Sequence, residues 1–178
     1  MSVLRTSQIQ NLSGTPMINP VGGILQVVST FMPTTFTTTN TLIVNGGAVI
    51  PGLAVNITPT TATSKMFLIT TINCDSTSGN TQAYFWLARG AAKIGVGIGE
   101  GSRVAIGGRF YYPDNNISGM VMMTFLDTPA TTSPITYNVY AGTESTGSVV
   151  INRTINDTDN TTNGTRSSSV LTVMEVAA

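Results

Sequence analysis

An all-β fold, a β-sandwich or jelly roll, is what the sequence predicts, on three observations. No segment keeps a convincing helical period over about twelve residues or more. About eight to ten short apolar or alternating runs are separated by Gly, Pro, Asn and Asp turn chemistry. Charged residues are only 9% of the chain, against about a quarter in average globular proteins. Its polarity comes instead from Thr, Ser and Asn, and β-branched threonine is stiff at χ1 and favours extended backbone.

In chain order, residues 1–23 carry few apolar side chains, Pro16 and Pro20, and the Gly22-Gly23 pair, which reads as an extended N-terminal arm. Residues 24–178 form the β-domain. Ile24 to Phe31 is β-branched and compact, and the threonine-rich run Thr34 to Thr41 favours extended structure. Leu42-Ile43-Val44 leads into the turn signal Asn45-Gly46-Gly47. Leu53 to Thr58 alternates and ends at Pro59, and Lys65 to Cys74 is the strongest core strand, with Met66-Phe67-Leu68-Ile69 continuous. Beyond a glycine-rich stretch, Ile117 to Leu126 is a second near-continuous apolar run. Thr136 to Ala141 alternates, with Tyr137 and Val139 on one face and Asn138 and Tyr140 on the other. Ser148 to Ile151 is a short strand, Arg153 to Ser168 a polar surface loop, and Val170 to Val176 a closing apolar strand.

The stretch Gln82 to Phe110 holds the single tryptophan, Trp86, and the alternating glycines Gly95, Gly97, Gly99 and Gly101. A period of two predicts a strand here, with Val96 and Ile98 on one face and the glycines on the other. A face without side chains stabilises little unless another backbone comes close. The expectation is a packing device within the sheet or at a subunit interface.

Chemistry finds little support. The chain has no histidine and one cysteine, which excludes histidine-based nucleophile systems and multi-cysteine zinc sites. Cys74, in a β-like run, reads as a small buried hydrophobe. A G-x-G-x-x-G site would need glycine at position 100, 102 or 104, where Glu100, Ser102 and Val104 stand. Asp157-Thr158-Asp159-Asn160 resembles the start of a calcium loop, but an EF-hand needs glycine and glutamate where Thr162 and Ser168 sit. The eight acids fall mostly in predicted turns, so a catalytic carboxylate pair is not expected. No cofactor and no metal is expected. The basic residues Arg89, Lys93, Arg103 and Arg109 cluster in sequence without interleaved aromatics for base stacking. Eight bases against eight acids give zero net charge, which offers no case for nucleic acid or an anionic membrane. Mean hydropathy is +0.22, yet no run approaches the ~18 apolar residues of a spanning helix. The N-terminal residues lack the apolar core of a signal peptide, so synthesis and assembly in a host cytoplasm are expected.

Phe85-Trp86-Leu87-Ala88-Arg89-Gly90, Ile94-Gly95-Val96-Gly97 and Gly101-Ser102-Arg103 resemble a β-domain of tailed-phage virion proteins, notably of cyanobacterial and marine phages. Gly23 to Val28, Phe125 to Pro129 with Thr136-Tyr137, and Leu171 to Val176 match the same pattern, so the resemblance spans residues 23–178. It implies a jelly-roll β-sandwich of the TNF/C1q-like type that assembles as a homotrimer, a non-enzymatic structural protein of the virion. Leu4 to Asn11 is similar to the attachment segments of such proteins. That makes Leu4, Arg5, Ile9 and Ile18 the candidate anchors of an attachment arm to other virion proteins of capsid or tail. The glycine segment, with Gly95, Val96, Gly97, Ile98 and Gly99, becomes the candidate trimer interface. The absence of a repetitive shaft between arm and domain favours capsid decoration (a cement protein) or a short head fibre. The alternative is a tail-fibre tip or receptor-binding module that takes a host surface glycan on an exposed loop.

Overall fold

Strands form where the sequence alternates or runs apolar, and among the described residues there are eleven of them: β1 (Ile24–Met32), β2 (Phe36–Thr38), β3 (Ala48–Ile57), β4 (Lys65–Ser76), β5 (Ala83–Arg89), β6 (Ala92–Ile94), β7 (Gly108–Phe110), β8 (Gly119–Asp127), β9 (Ile135–Thr143), β10 (Val149–Ile151) and β11 (Ser169–Val176). The structure, a computed structural model, describes residues 21–42, 46–77, 81–111, 114–144 and 146–178. The arm candidates Leu4, Arg5, Ile9 and Ile18 lie outside them.

The strand order is that of a long hairpin wound on itself. β1 pairs with β11, β3 with β9, β4 with β8, and β5 with β6 and β7, all antiparallel. First strand meets last, second meets second-last, and so on inward, which is jelly-roll winding. Two sheets result. One runs β8–β4–β11–β1, with β10 and β2 continuing it past the end of β11 along β4. The other runs β3–β9–β5, and β6 and β7 share the far edge of β5. The all-β sandwich expected from the sequence is the observed fold.

The core lies between the sheets and comes from the inward half of each alternation. In β11 the inward set is Ser169, Leu171, Val173 and Glu175. In β4 it includes Met66, Leu68, Ile72 and Cys74, all fully buried. Burial of each such aliphatic side chain stabilises by about 1.5–3 kcal/mol. Tyr137 and Val139 enter this core from β9, as the alternation predicted, and Tyr140 faces the other way. β5 is covered on both sides. Phe85 sits in the sandwich core, while its neighbour Trp86 sits in a second cluster with Leu42, Tyr84, Val96, Ile106 and Tyr140 on the outside of the sheet. Trp86 stacks on Tyr140, with ring centroids 5.3 Å apart, and Lys93 Nζ lies 4.4 Å from the tryptophan ring centroid.

The glycine segment departs from expectation. Gly95 to Gly99 is not a strand but the start of an irregular excursion between β6 and β7. Val96 and Ile98 therefore do not share a face: Val96 packs toward Trp86, while Ile98 is 99% exposed. Gly95 breaks the pattern, because its φ of +61° turns the chain out of the β region that a period of two requires. Of the close approaches expected along the glycine face, one occurs at Gly95, where a Cβ would stand 2.9 Å from the Phe125 ring, and tighter ones occur beyond the segment at Gly107 and Gly108, 2.7 Å from the Met123 sulfur and 2.7 Å from a Val121 methyl respectively. Nothing lies within 4 Å of the same position on Gly97.

Candidate interaction surface

Side chains that face outward from the β8–β4–β11–β1 sheet follow from the registers. One row across the four strands reads Val27, Met174, Phe67, Leu126; the next Ser29, Thr172, Ile69, Thr124; the next Phe31, Val170, Thr71, Met122. Asn73 and Met120 continue the last row pair. None of these positions carries a charge, and Lys65 opposite Val176 marks one end. Val27 is 55% exposed, Phe31 64%, Met120 62% and Met122 63%. An antiparallel sheet facing water ordinarily alternates apolar-in with polar-out. Here the outward face is uncharged, with apolar side chains on either side of a row that is mostly hydroxyl, Ser29, Thr172 and Thr124. The other sheet differs, since Asn56, Thr136 and Asn138 face outward from its β3–β9 side and Thr136 Oγ1 donates to Asn56 Oδ1 at 2.6 Å.

The sequence signal for this surface was the continuity of Met66 to Ile69 and Met120 to Leu126. A strand apolar on one face alternates, whereas a strand apolar on both does not. Such runs read as core strands, yet half of each points outward.

Three acids sit buried in strands: Asp75 and Asp127, expected in turns, and Glu175, in the closing strand that the sequence predicts. Glu175 Oε1 accepts from the Thr60 backbone N–H at 2.7 Å and from its hydroxyl at 2.6 Å, and Oε2 accepts from Gln26 Nε2 at 2.5 Å. Burial pushes this carboxyl up, but the hydrogen bonds from Thr60, Ser64 and Gln26 outweigh it and hold it at about 2. Asp127, at the end of β8, accepts Arg89 Nη1 at 3.0 Å and the Tyr137 hydroxyl at 2.7 Å, tying one sheet to β5 and β9 of the other. Burial, then the bond to Asp127, pushes the Tyr137 phenol up. Asp75 accepts the backbone N–H groups of Ser76 at 2.7 Å and Ile155 at 2.9 Å, and its carboxyl is raised chiefly by burial. Each of the three holds strand ends and loops together. Asn152, buried with φ of +63°, similarly donates to the Met32 and Thr34 carbonyls and accepts from Ser169.

Of the remaining candidates, only Arg103 and Arg109 come together at one cleft. Arg103 pairs with Glu100 on the surface, and Arg109 donates to Gln82. Arg103 and Arg109 line a cleft of about 330 Å³ with Tyr84, Ser102, Ile106 and Glu144. In the polar loop, Asp157 is bound by Arg166 at 2.8 Å, with Arg153 at 4.0 Å. No group of three or more metal-ligating side chains occurs among the described residues. Cys74 is a buried free thiol, as its setting in the sequence predicted, and burial pushes that thiol up. No described helix is long and apolar enough to cross a membrane.

No protein-family model matches the chain, and no curated protein matches it. Among solved structures, the chain is similar to that of the infectious bursal disease virus Gt strain, at 11% identity and a TM-score of 0.42, over 86% of this chain and 38% of that one. It is also similar to the structure of T=1 particles derived from infectious bursal virus, at 10% identity and a TM-score of 0.43, over 86% of this chain and 36% of that one. A third is the infectious bursal disease virus VP2 subviral particle, at 15% identity and a TM-score of 0.34, over 86% of this chain and 38% of that one. The chain thus spans well under half the length of these structures.

Proposed function

We propose that this chain is a non-enzymatic structural protein of a phage particle surface. It assembles as a homotrimer and is anchored to other virion proteins through residues 1–23, as a capsid decoration (cement) protein or a short head fibre. The observation that carries this reading is a jelly roll whose outer sheet face is uncharged and exposes Val27, Phe31, Met120, Met122 and Leu126 along its two edge strands. A domain built this way is not finished as a monomer. The motif resemblance supplies the phage virion and the threefold. Low charge fits both, since it removes like-charge repulsion between copies held at high local concentration.

A threefold is closed by heterologous contacts, so two different patches of the chain meet. The glycine segment, with Gly95, Val96, Gly97, Ile98 and Gly99, is proposed as one of them, because Ile98 stands free at its surface and Gly97 faces open space. The test is electron microscopy of particles carrying a tagged copy. Density or label on the capsid surface, lost when residues 1–23 are deleted, is the expected result. Sedimentation of the isolated chain as a monomer would remove the trimer from the reading.

One observation favours a second reading, a receptor-binding tip for a host surface glycan. The cleft beside Tyr84 presents an aromatic ring with Arg103, Arg109 and Glu144, a mixture of flat apolar and charged groups suited to a sugar. Loss of adsorption on Tyr84→Ala, with particles otherwise intact, supports it over decoration.

A further inference from the structure

We infer that the cleft beside Tyr84 takes a neutral sugar ring, a pyranose unit of a surface glycan, through Tyr84, Arg109 and Glu144. The inference rests on the receptor-binding reading and names the ligand class of that same site.

Placement comes first. Tyr84 stands on the outer face of the β3–β9–β5 sheet, in the cluster that holds Trp86. Its register partner on β7 is Arg109, and residues directly opposite in an antiparallel pair project from the same face. Arg109 Nη1 donates to Gln82 Oε1 at 2.9 Å, which occupies one of the five guanidinium donors and leaves the others open. Glu144 lines the same cleft, and its backbone N–H donates to the Gln82 carbonyl at 3.1 Å. Gln82 therefore ties both charged residues to the start of β5. Burial, then the charge of Glu144, pushes the Tyr84 phenol up against the opposing pull of Arg109. Both charges thus reach the hydroxyl end of the ring, and the phenol remains a donor at neutral pH.

Charge then selects the ligand. Arg103, on the same cleft, is paired with Glu100 at 3.2 Å, and Glu144 offsets Arg109. Two bases against two acids leave no surplus cation for a carboxylate or sulfate, and no surplus anion for an ammonium group. A sugar hydroxyl both donates and accepts, so neighbouring hydroxyls satisfy a carboxylate and a guanidinium together. The apolar face of the ring finds Tyr84, with Leu42 and Ile106 beside it. A cleft of about 330 Å³ stands at the low end of the ~300–1,000 Å³ of ligand sites. That suits one or two rings and not a long chain. Tyr84 and Arg109 stand on paired strands, so the site is preformed and binding freezes few torsions.

The test uses the full chain and ligand-observed saturation-transfer NMR. The neutral probes are the methyl α-glycosides of glucose, galactose and mannose; the acidic probes are D-glucuronate and N-acetylneuraminate. At least one neutral glycoside is expected to bind with Kd of about 1–10 mM, the range of a small ligand with few contacts. Tyr84→Ala, Arg109→Ala and Glu144→Gln each raise that constant by about tenfold or more, through loss of the stacked ring or of a charged hydrogen-bond partner. Tyr84→Phe keeps the ring and raises it by less than about threefold. Asn56→Ala, near the other end of the β3–β9 ladder, leaves it unchanged. An unaltered thermal transition shows that the variants remain folded, and should Tyr84→Ala fail to fold, Arg109→Ala and Glu144→Gln decide. Acidic probes that bind as tightly as the neutral ones overturn the ligand class and leave the glycan reading standing. Saturation that persists in all three weakened variants overturns the site while leaving a sugar bound elsewhere. No saturation of any probe, with adsorption lost on Tyr84→Ala, overturns the sugar and keeps receptor binding. No saturation with adsorption intact overturns both.

Discussion

Glu175 occupies an inward position of β11 that the alternation Leu171, Val173 would fill with another aliphatic. It is fully buried yet held at about 2 by donors from Thr60, Ser64 and Gln26. Because the folded value lies below the ordinary 4.5, the carboxylate contributes stability above about pH 4.5. That contribution is lost as pH falls through about 2. Glu175→Gln is expected to destabilise by about 1–3 kcal/mol at neutral pH. In urea titrations run from pH 7 to 2, the difference between wild type and variant should shrink across that acid window. A constant difference would mean the charge is immaterial and only shape matters. The alternation placed this side chain inward, but nothing local announced its donors. Gln26 and Thr60 are brought to it by pairing of β1 with β11 and by the loop after β3. Asp127 was obscured in the same way, since Arg89 and Tyr137 reach it from the other sheet.

At the scale of elements, the strands were legible wherever a run was apolar or alternating, and β1, β4, β8, β9 and β11 stand close to where the sequence puts them. The glycine segment was not. Alternation of Gly with Val and Ile imitates a strand, but glycine also admits the left-handed turn that Gly95 takes. The two glycines separate the readings experimentally. Gly95→Val must adopt φ of +61° with its Cβ 2.9 Å from the Phe125 ring, and should cost about 2–3 kcal/mol or more in thermal denaturation. Gly97→Val meets open space and should change monomer stability by less than about 0.5 kcal/mol. If the segment contributes to the threefold, Gly97→Val nevertheless weakens assembly in sedimentation. Normal assembly of that variant would remove the segment from the interface. The apolar outer face was legible only in part. One continuous and one near-continuous apolar run declared strands buried on both sides, and registry alone shows that one side lacks a cover among the described residues.

For the molecule as a whole, the winding makes the last strand indispensable. β11 is hydrogen-bonded between β1 and β4 along its length, and it fills the core with Leu171 and Val173. Removal of residues 169–178 should abolish the cooperative unfolding transition and the sheet signal in circular dichroism. A truncated chain that still melts cooperatively would show that β1 can re-pair with β4. The topology also sets an order of events in time. β1 is the first of these strands to leave the ribosome, and its only ladder partner among the described residues is the last. At roughly 5–20 residues per second, β1 waits on the order of ten seconds with its inward side chains Val28 and Met32 uncovered. Polysomes hold many nascent chains side by side through that interval, so translation speed and chaperone occupancy, as much as the final fold, govern how much of this protein reaches its native form.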